Sequence, residues 1–169
     1  MLSFDIRALR EQAVMVDGDL PATDPVWQEG DPLPVDAVHV TGRLSAAGAD
    51  RFYFHAHLSG EVAGTCRLCL TDAGAEVHDE AHFIFTDGVE GDEDDPDVFV
   101  IDPGAHELDL RDAVREQWLL VAPAYLECRP DCKGLCKRCG ADLNAGPCDC
   151  PPATDARWDA LRASRGAAE

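Results

Sequence analysis

The sequence lacks any uninterrupted apolar run of about 18 residues, the length that a helix needs to cross a membrane. Residues 1–7 mix apolar and charged side chains, so the basic and then apolar segments of a secretory signal are also missing. At 169 residues the chain has the size of one ordinary domain with a small addition. We therefore predict a cytoplasmic protein that has no membrane partner.

Basic side chains are scarce. The chain has 14 Lys and Arg against 33 Asp and Glu, and its formal net charge is −19. Residues 1–120 hold 7 basic and 26 acidic side chains, whereas residues 121–169 hold 7 of each. An acidic surface of this kind repels a phosphate backbone, which excludes nonspecific nucleic-acid binding by the whole molecule. Only a local basic cluster can contact RNA or DNA.

The motifs of the common enzyme classes are missing as well. We find no Ser-His-Asp signature, no phosphate-binding loop and no paired carboxylates. Of the six histidines, His55 and His57 lie on the polar face of a predicted strand and the others lie in loops or among charged residues, where solvated side chains are typical. We therefore predict that the chain is not an enzyme and that it has no small-molecule substrate.

Cysteine, in contrast, is abundant. Disulfides are rare in the cytoplasm, whereas cysteines two to four residues apart are typical ligands of structural zinc. The pattern therefore predicts one or two zinc ions. The eight candidate ligands come in four close pairs: Cys66 and Cys69, Cys128 and Cys132, Cys136 and Cys139, and Cys148 and Cys150.

The spacing favours one zinc site within the C-terminal part. Cys136 and Cys139 flank two residues and precede a glycine, which is typical of a metal-binding turn, and Cys148 and Cys150 follow across a short loop. The other four cysteines would then form a second site that joins a hairpin tip to the segment after a helix. Long-range pairing cannot be read from a sequence, so other arrangements, such as Cys132 with Cys136, stay open.

Hydrophobic periodicity predicts an antiparallel β-sheet meander. A strand-like run extends over residues 37–41, alternating apolar side chains favour a strand over residues 51–59, a further strand-like run extends over residues 75–85, and the short apolar run of residues 98–101 is predicted to be a fourth strand. Cys66 and Cys69 lie in the turn between the second and third of these strands.

The segments around the strands are assigned from caps, breakers and periodicity. Residues 17–34, rich in Asp, Pro and Gly, are predicted to form a long loop, and residues 1–16 give no clear element. Asp109 is predicted to be the N-cap of an amphipathic helix, with Asp112 completing a capping box. The apolar face of this helix and the proline that ends it are Leu110, Val114, Trp118, Val121 and Pro123.

The predicted fold class is thus α+β, with an antiparallel meander, a packed amphipathic helix and a C-terminal cysteine-rich zinc-binding module. We divide the chain into an acidic β-rich domain with the helix, residues 1–122, and the cysteine-rich module, residues 123–169. A short helix from Thr154 to Ser164 is expected to close the module.

Two charged segments accompany these elements. Residues 87–97 form an acidic run that lacks the order of an EF-hand loop and is predicted to be a solvated loop. A basic cluster among the cysteines can contact phosphates or unpaired bases, or it can offset the negative charge of thiolate-bound zinc. Its members are Arg129, Lys133, Lys137 and Arg138.

The order of the motifs in this sequence resembles that of one known family. The most specific part of the resemblance is the string Cys132-Lys-Gly-Leu-Cys136-Lys-Arg-Cys139-Gly-Ala-Asp-Leu-Asn144, which follows Cys66-Arg-Leu-Cys69-Leu70 and the predicted helix. This arrangement is similar to the bacterial and plastid family of large ribosomal RNA subunit accumulation proteins (YceD-like).

The resemblance implies a cytoplasmic, non-enzymatic factor needed for synthesis, processing or stability of the large-subunit (23S) rRNA. It also implies metal binding and contact with nucleic acid. Some members of the family lack the distal cysteines but keep the first pair and ligands near positions 128 and 132, which favours two separate sites.

Our first hypothesis is therefore a zinc-stapled α+β protein that acts in rRNA maturation through large-subunit rRNA or a basic ribosomal protein. A second hypothesis is a zinc- or redox-responsive thiol protein that uses Cys66 and Cys69. Such a thioredoxin-like dithiol needs the start of a helix in a βαβ unit, and this pair lies between two predicted strands. A third hypothesis is a structural interaction module without a role in RNA.

Overall fold

The computed structural model describes residues 2–48, 51–86, 98–102, 104–151 and 156–158. The elements, in chain order, are β1 (Ser3–Asp5), α1 (Ile6–Glu11), β2 (Val14–Pro21), β3 (Ala37–Ala46), β4 (Arg51–Thr65), β5 (Asp72–Thr86), β6 (Val98–Val100), β7 (Glu107–Asp109), α2 (Arg111–Val121) and a 3-10 turn (Ala156–Trp158).

Five strands form one sheet in the order β2-β3-β4-β5-β6, and β1 pairs with β7 in a separate two-stranded sheet. The pairs from β2 to β5 are antiparallel, which agrees with the predicted meander, whereas β6 runs parallel to β5. The α+β fold class therefore agrees with the structure. The predicted strands are longer than expected, since β3 continues to Ala46 and β5 begins at Asp72.

The predicted long loop over residues 17–34 is wrong at its start, because Asp17 to Pro21 belong to β2. Val16 and Leu20 are buried on one face of this strand, while Asp17 and Asp19 are exposed on the other. The acidic side chains on the outer face made this segment look like a loop in the sequence and obscured the alternation of apolar residues. Residues 1–16, for which no element was predicted, contain β1, α1 and the beginning of β2.

The inner face of the sheet packs against both helices to form the core. Phe54 of β4 lies opposite Phe83 of β5, with ring centroids 6.0 Å apart, and Ile6 and Leu9 of α1 are buried with them. The apolar face predicted for α2 is confirmed by the complete burial of Leu110, Val114 and Trp118.

The predicted N-cap of α2 is wrong by one residue. Leu110 is the N-cap, and its apolar side chain has no acceptor for a capping bond, while Asp109 is paired with Ser3 at the end of β7. The Asp109 carboxylate still accepts the amide of Arg111 at 3.0 Å, which satisfies a free N–H of the first turn.

Side-chain contacts hold α2 against the sheet and the loop before β3. Trp118 donates its indole N–H to the carbonyl of Pro32 (2.7 Å), and its ring packs over Gly60 of β4. The guanidinium of Arg115 donates two hydrogen bonds to the Asp31 carboxylate, at 2.8 and 3.1 Å. The helix is thereby fixed so that the chain leaving Val121 reaches the tip of the β4–β5 hairpin.

Two predictions lie largely outside the described residues. Of the helix expected over Thr154–Ser164, the structure describes the 3-10 turn Ala156–Trp158, and the acidic run over residues 87–97 is not described. Among the described residues, the helices are too short or too polar to span a bilayer.

Candidate metal centres

The first pair of cysteines lies at the tip of the β4–β5 hairpin, where both residues are buried. The Cys66 amide donates to the carbonyl of Thr71 (2.7 Å), and the Leu70 amide donates to the carbonyl of Cys66 (2.9 Å). Leu70 adopts a left-handed backbone with φ of 61°, which returns the chain into β5. Backbone N–H groups of this tight turn, those of Leu68 and Cys69, stabilise the Cys66 thiolate.

The second Cys-x-x-Cys segment repeats this turn. The Cys136 amide donates to the carbonyl of Ala141 (2.8 Å), and the Gly140 amide donates to the carbonyl of Cys136 (2.8 Å). Gly140 has φ of 73° and occupies the position that Leu70 has in the first turn. Two segments that share their cysteine spacing and little else therefore form the same loop, as expected of two metal-binding turns.

The chain after α2 returns to the hairpin tip and brings two further cysteines there. Leu126 forms a parallel β-bridge with Cys66. The Sγ atoms of Cys69 and Cys128 are 3.5 Å apart, and those of Cys66 and Cys132 are 3.9 Å apart. All four Sγ atoms of this first tetrad lie within 4.8 Å of one another: Cys66, Cys69, Cys128 and Cys132.

The second tetrad forms within the C-terminal segment alone. Its four Sγ atoms also lie within 4.8 Å of one another: Cys136, Cys139, Cys148 and Cys150. The structure thus brings together the same two sets of four that the sequence grouped, and it places Cys132 and Cys136 in different sets. Binding of metal by these residues stays a prediction.

The donor sets fit zinc. Four sulfurs at about 2.3 Å from one tetrahedral ion lie roughly 3.8 Å from each other, close to the 3.5 and 3.9 Å of the first tetrad. A disulfide would need about 2.0 Å, and all eight cysteines are free. Soft thiolates favour zinc or iron over magnesium or calcium, and a closed set of four is typical of structural sites.

The thiols of a tetrad do not ionise alike. The backbone N–H of Cys128 lowers the pKa of the Cys66 thiol to about 6, whereas the Cys69 side chain, with burial, raises the pKa of the Cys128 thiol to about 12. In the second tetrad the backbone N–H of Cys139 lowers the pKa of Cys136 to about 6. Four adjacent thiolates repel one another, so a divalent cation is what allows all of them to ionise together.

Asn144 links the two tetrads, and the cysteine pattern did not reveal it. Its side-chain oxygen accepts the Lys133 amide (2.8 Å), and its side-chain N–H donates to the Sγ of Cys132 (3.6 Å) and to Asp142 (2.7 Å). Asn144 itself lies in the loop of the second tetrad. Its position at the end of the 132–144 string is the signal that could have identified it, since asparagine often binds the backbone in turns.

Gly134 provides a second link. The Leu135 amide next to it donates to the carbonyl of Leu68 at the hairpin tip (3.0 Å). Gly134 has φ of 69°, and a Cβ there would lie 2.8 Å from the same carbonyl oxygen. The close approach of the two turns therefore requires glycine at this position.

The predicted basic cluster lies on the loops of the tetrads, because each member is directly next to a cysteine. All four members are exposed: Arg129, Lys133, Lys137 and Arg138. Arg129 lies 3.4 Å from the Asp131 carboxylate. A further cation, Arg67, donates to Glu127 (2.9 Å) and lies 5.9 Å from the ring centre of the exposed Tyr125.

The sequence profile of one family, described as "Large ribosomal RNA subunit accumulation protein YceD", matches residues 54–163. The matched range covers more than half of the chain and includes both tetrads and the basic cluster. No curated protein and no solved structure matches the chain significantly.

Proposed function

The chain belongs to the YceD family of large ribosomal RNA subunit accumulation proteins, and on this premise we propose that it is a cytoplasmic, non-enzymatic zinc protein that supports the large-subunit rRNA. The observation that carries the proposal is that the family match contains all eight cysteines, which lie in two compact tetrads. The step supported is the synthesis, processing or stability of 23S rRNA.

Zinc has a structural role in this proposal. The eight cysteines would bind two ions, one per tetrad, and the first ion would join the β4–β5 hairpin to the segment after α2. In the described part of residues 123–151 no hydrophobic side chain belongs to the fully buried core. Because this segment has so little core, the free energy of zinc binding is its main source of folding free energy.

We propose that the basic cluster is the surface that contacts rRNA. The acidic part, residues 1–120, repels phosphates, whereas residues 121–169 have no net charge and carry Lys133, Lys137 and Arg138 on exposed zinc loops. A folded loop holds these cations in fixed positions, which suits the recognition of unpaired RNA rather than nonspecific binding. Loss of zinc would therefore also weaken the contact with RNA.

The test is binding of the zinc-loaded protein to a 23S rRNA transcript at several salt concentrations. Substitution of Lys133, Lys137 and Arg138 by Gln is expected to weaken binding and to reduce the slope of log K against log salt by about 1 for each lost phosphate contact. Arg43→Gln, which removes an exposed cation from the sheet, is the control and should leave binding unchanged. Equal affinities for both variants would contradict the proposal.

A basic ribosomal protein is a second candidate partner, and the net charge of −19 favours it. The acidic body would attract such a protein and shield it before assembly. Capture of purified large-subunit proteins at moderate salt separates the two partners. Binding to neither rRNA nor a ribosomal protein would contradict both.

The thiol-enzyme alternative predicts different chemistry at Cys66 and Cys69. Closed zinc sites react slowly with an alkylating reagent until a chelator is added, whereas a working dithiol reacts at once. We expect slow alkylation of the protein as purified under reducing conditions and rapid alkylation after chelation. Immediate reaction of Cys66 and Cys69 with zinc still bound would favour a redox role.

A further inference from the structure

The outer face of the main sheet carries a cluster of imidazole and carboxylate groups that belongs to neither tetrad. His55 and His57 are two residues apart on β4, so their side chains leave the same face. On β5, His82 lies opposite His55 and Glu80 lies opposite His57 in the strand register. Four side chains that can bind or support a metal ion therefore occupy neighbouring positions of two paired strands.

The side chains of this cluster converge. The Nε2 atom of His55 lies 2.6 Å from the Oε1 atom of Glu80, and the ring centroids of His55 and His57 are 4.9 Å apart. One ligand atom from each of His55, His57 and Glu80 lies within 4.8 Å of the other two. Ligand atoms bound to one zinc ion are roughly 3 Å apart, so these three atoms need to approach one another by less than about 2 Å to bind one ion.

His82 holds the cluster in place. Its ring stacks on that of His55 with centroids 4.7 Å apart and planes 14° apart, and its Nδ1 atom is hydrogen-bonded to the hydroxyl of Tyr53 at 2.7 Å. The stack restricts the rotation of His55 and orients it toward Glu80. Orientation of a histidine ligand by an outer neighbour is typical of metal sites.

We propose that His55, His57 and Glu80 bind a divalent transition-metal ion at a third site on the sheet surface, independent of the two cysteine tetrads. Two neutral imidazoles and one carboxylate suit zinc or a neighbouring ion such as nickel, and they do not suit calcium or magnesium. Three protein ligands leave at least one coordination position open to solvent, unlike the closed tetrads. The acidic surface attracts the cation, whereas exposed Arg43, opposite His55 on β3, repels it.

The test starts from the protein with both tetrads already loaded and uses zinc chloride alone as the titrant in a calorimeter. We expect one further zinc ion per chain. His57→Ala should weaken this binding by at least about tenfold, since loss of even an outer neighbour costs metal sites about 10–100-fold. Arg43→Gln should strengthen it, and His106→Ala, which removes an exposed histidine before β7, should have no effect.

Nitrogen-detected NMR of the imidazole groups is the second measurement. The ring nitrogens of His55 and His57 should shift at one equivalent of added zinc, and those of His106 should not. Three results would overturn the proposal. The first is that no further zinc ion binds, and the second is that His57→Ala binds zinc as tightly as the parent does. The third is that the ring nitrogens of all histidines shift together. Each would indicate a cluster that is only hydrogen-bonded, with nonspecific binding of zinc to the surface.

Discussion

At the scale of single residues, the two Cys-x-x-Cys turns differ most at the position after their second cysteine. Both residues there have a left-handed backbone, with φ of 61° at Leu70 and 73° at Gly140. Glycine adopts this conformation freely, whereas for a residue with a Cβ atom it is less favourable by about 1–2 kcal/mol of free energy. The first turn is therefore strained and the second is not.

Replacement of the strained residue should stabilise the protein. Leu70 is 66% exposed, so Leu70→Gly loses little apolar burial and should raise the free energy of unfolding of the zinc-loaded protein by roughly 1 kcal/mol. Gly140→Ala should lower it by a similar amount. Leu68→Gly, in the same turn but without a positive φ, is the control and should be destabilising. Denaturant unfolding measures all three, and a destabilised Leu70→Gly would contradict the strain.

The ion pair of Asp31 and Arg115 predicts a pH dependence. The hydrogen bonds from Arg115 lower the pKa of the Asp31 carboxyl, so its stabilising contribution is present above the unfolded-state value of about 3.9 and is lost as the pH falls through the folded-state value. Asp31→Asn removes this contribution. The stability difference between the parent and Asp31→Asn should be largest near neutral pH and should shrink below about pH 4. A difference that does not change with pH would contradict this.

At the scale of elements, the contact of α2 with β4 controls where the chain goes after the helix. A Cβ atom added at Gly60 would lie 2.9 Å from the Trp118 ring and 3.1 Å from the carbonyl oxygen of Ala37. Trp118 is completely buried and donates to the Pro32 carbonyl, so its ring has little room to move. The helix therefore cannot shift without loss of this packing.

Gly60→Ala should accordingly lower the free energy of unfolding by about 1–3 kcal/mol, the usual effect of overpacking a core. Gly146→Ala adds the same methyl group where no atom lies within 4 Å, and it should be nearly neutral. Thermal unfolding with near-UV circular dichroism, which reports on Trp118, compares the two. Equal melting temperatures would show that α2 is not tightly packed on Gly60.

Local sequence patterns predicted the central strands and α2, whereas features that depend on pairing between distant segments could not be predicted. The central parts of β3 to β5 and the apolar face of α2 follow from the local sequence, whereas the full length of the strands does not. Asp17 and Asp19 look like loop residues, and the pairing of β2 with β3 makes them the outer face of a strand. The Cys-x-x-Cys turn at Cys136 was evident from spacing, whereas the first tetrad depends on the bridge between Cys66 and Leu126, which no local pattern specifies.

At the scale of the whole molecule, two kinds of stabilisation divide the chain. The sheet and helices share a continuous apolar core, while residues 123–151 add only the partly buried Leu126 to it and contain turn hydrogen bonds and most of the cysteines of the two tetrads. The predicted division at residues 122 and 123 follows this difference and stays a prediction. It implies that removal of zinc releases the second part before the first.

Chelation should therefore expose residues 123–151 to protease while the β-sheet core remains resistant. Cys139→Ser should have a milder form of the same effect, with cleavage confined to the neighbourhood of the second tetrad. Arg138→Ser, which introduces serine at the exposed position next to Cys139, is the control and should be as resistant to protease as the parent. Limited proteolysis followed by mass spectrometry locates the cuts. Unchanged resistance of Cys139→Ser would count against a zinc-dependent fold of the segment.

The most direct test is the number of zinc ions per chain in protein purified under reducing conditions and desalted to remove weakly bound ions. Elemental analysis should give two zinc ions for the parent and one for Cys139→Ser, with the ion of the hairpin site retained. A value of zero for the parent, with correctly folded strands, would contradict the account, and a value of one would restrict metal binding to a single tetrad.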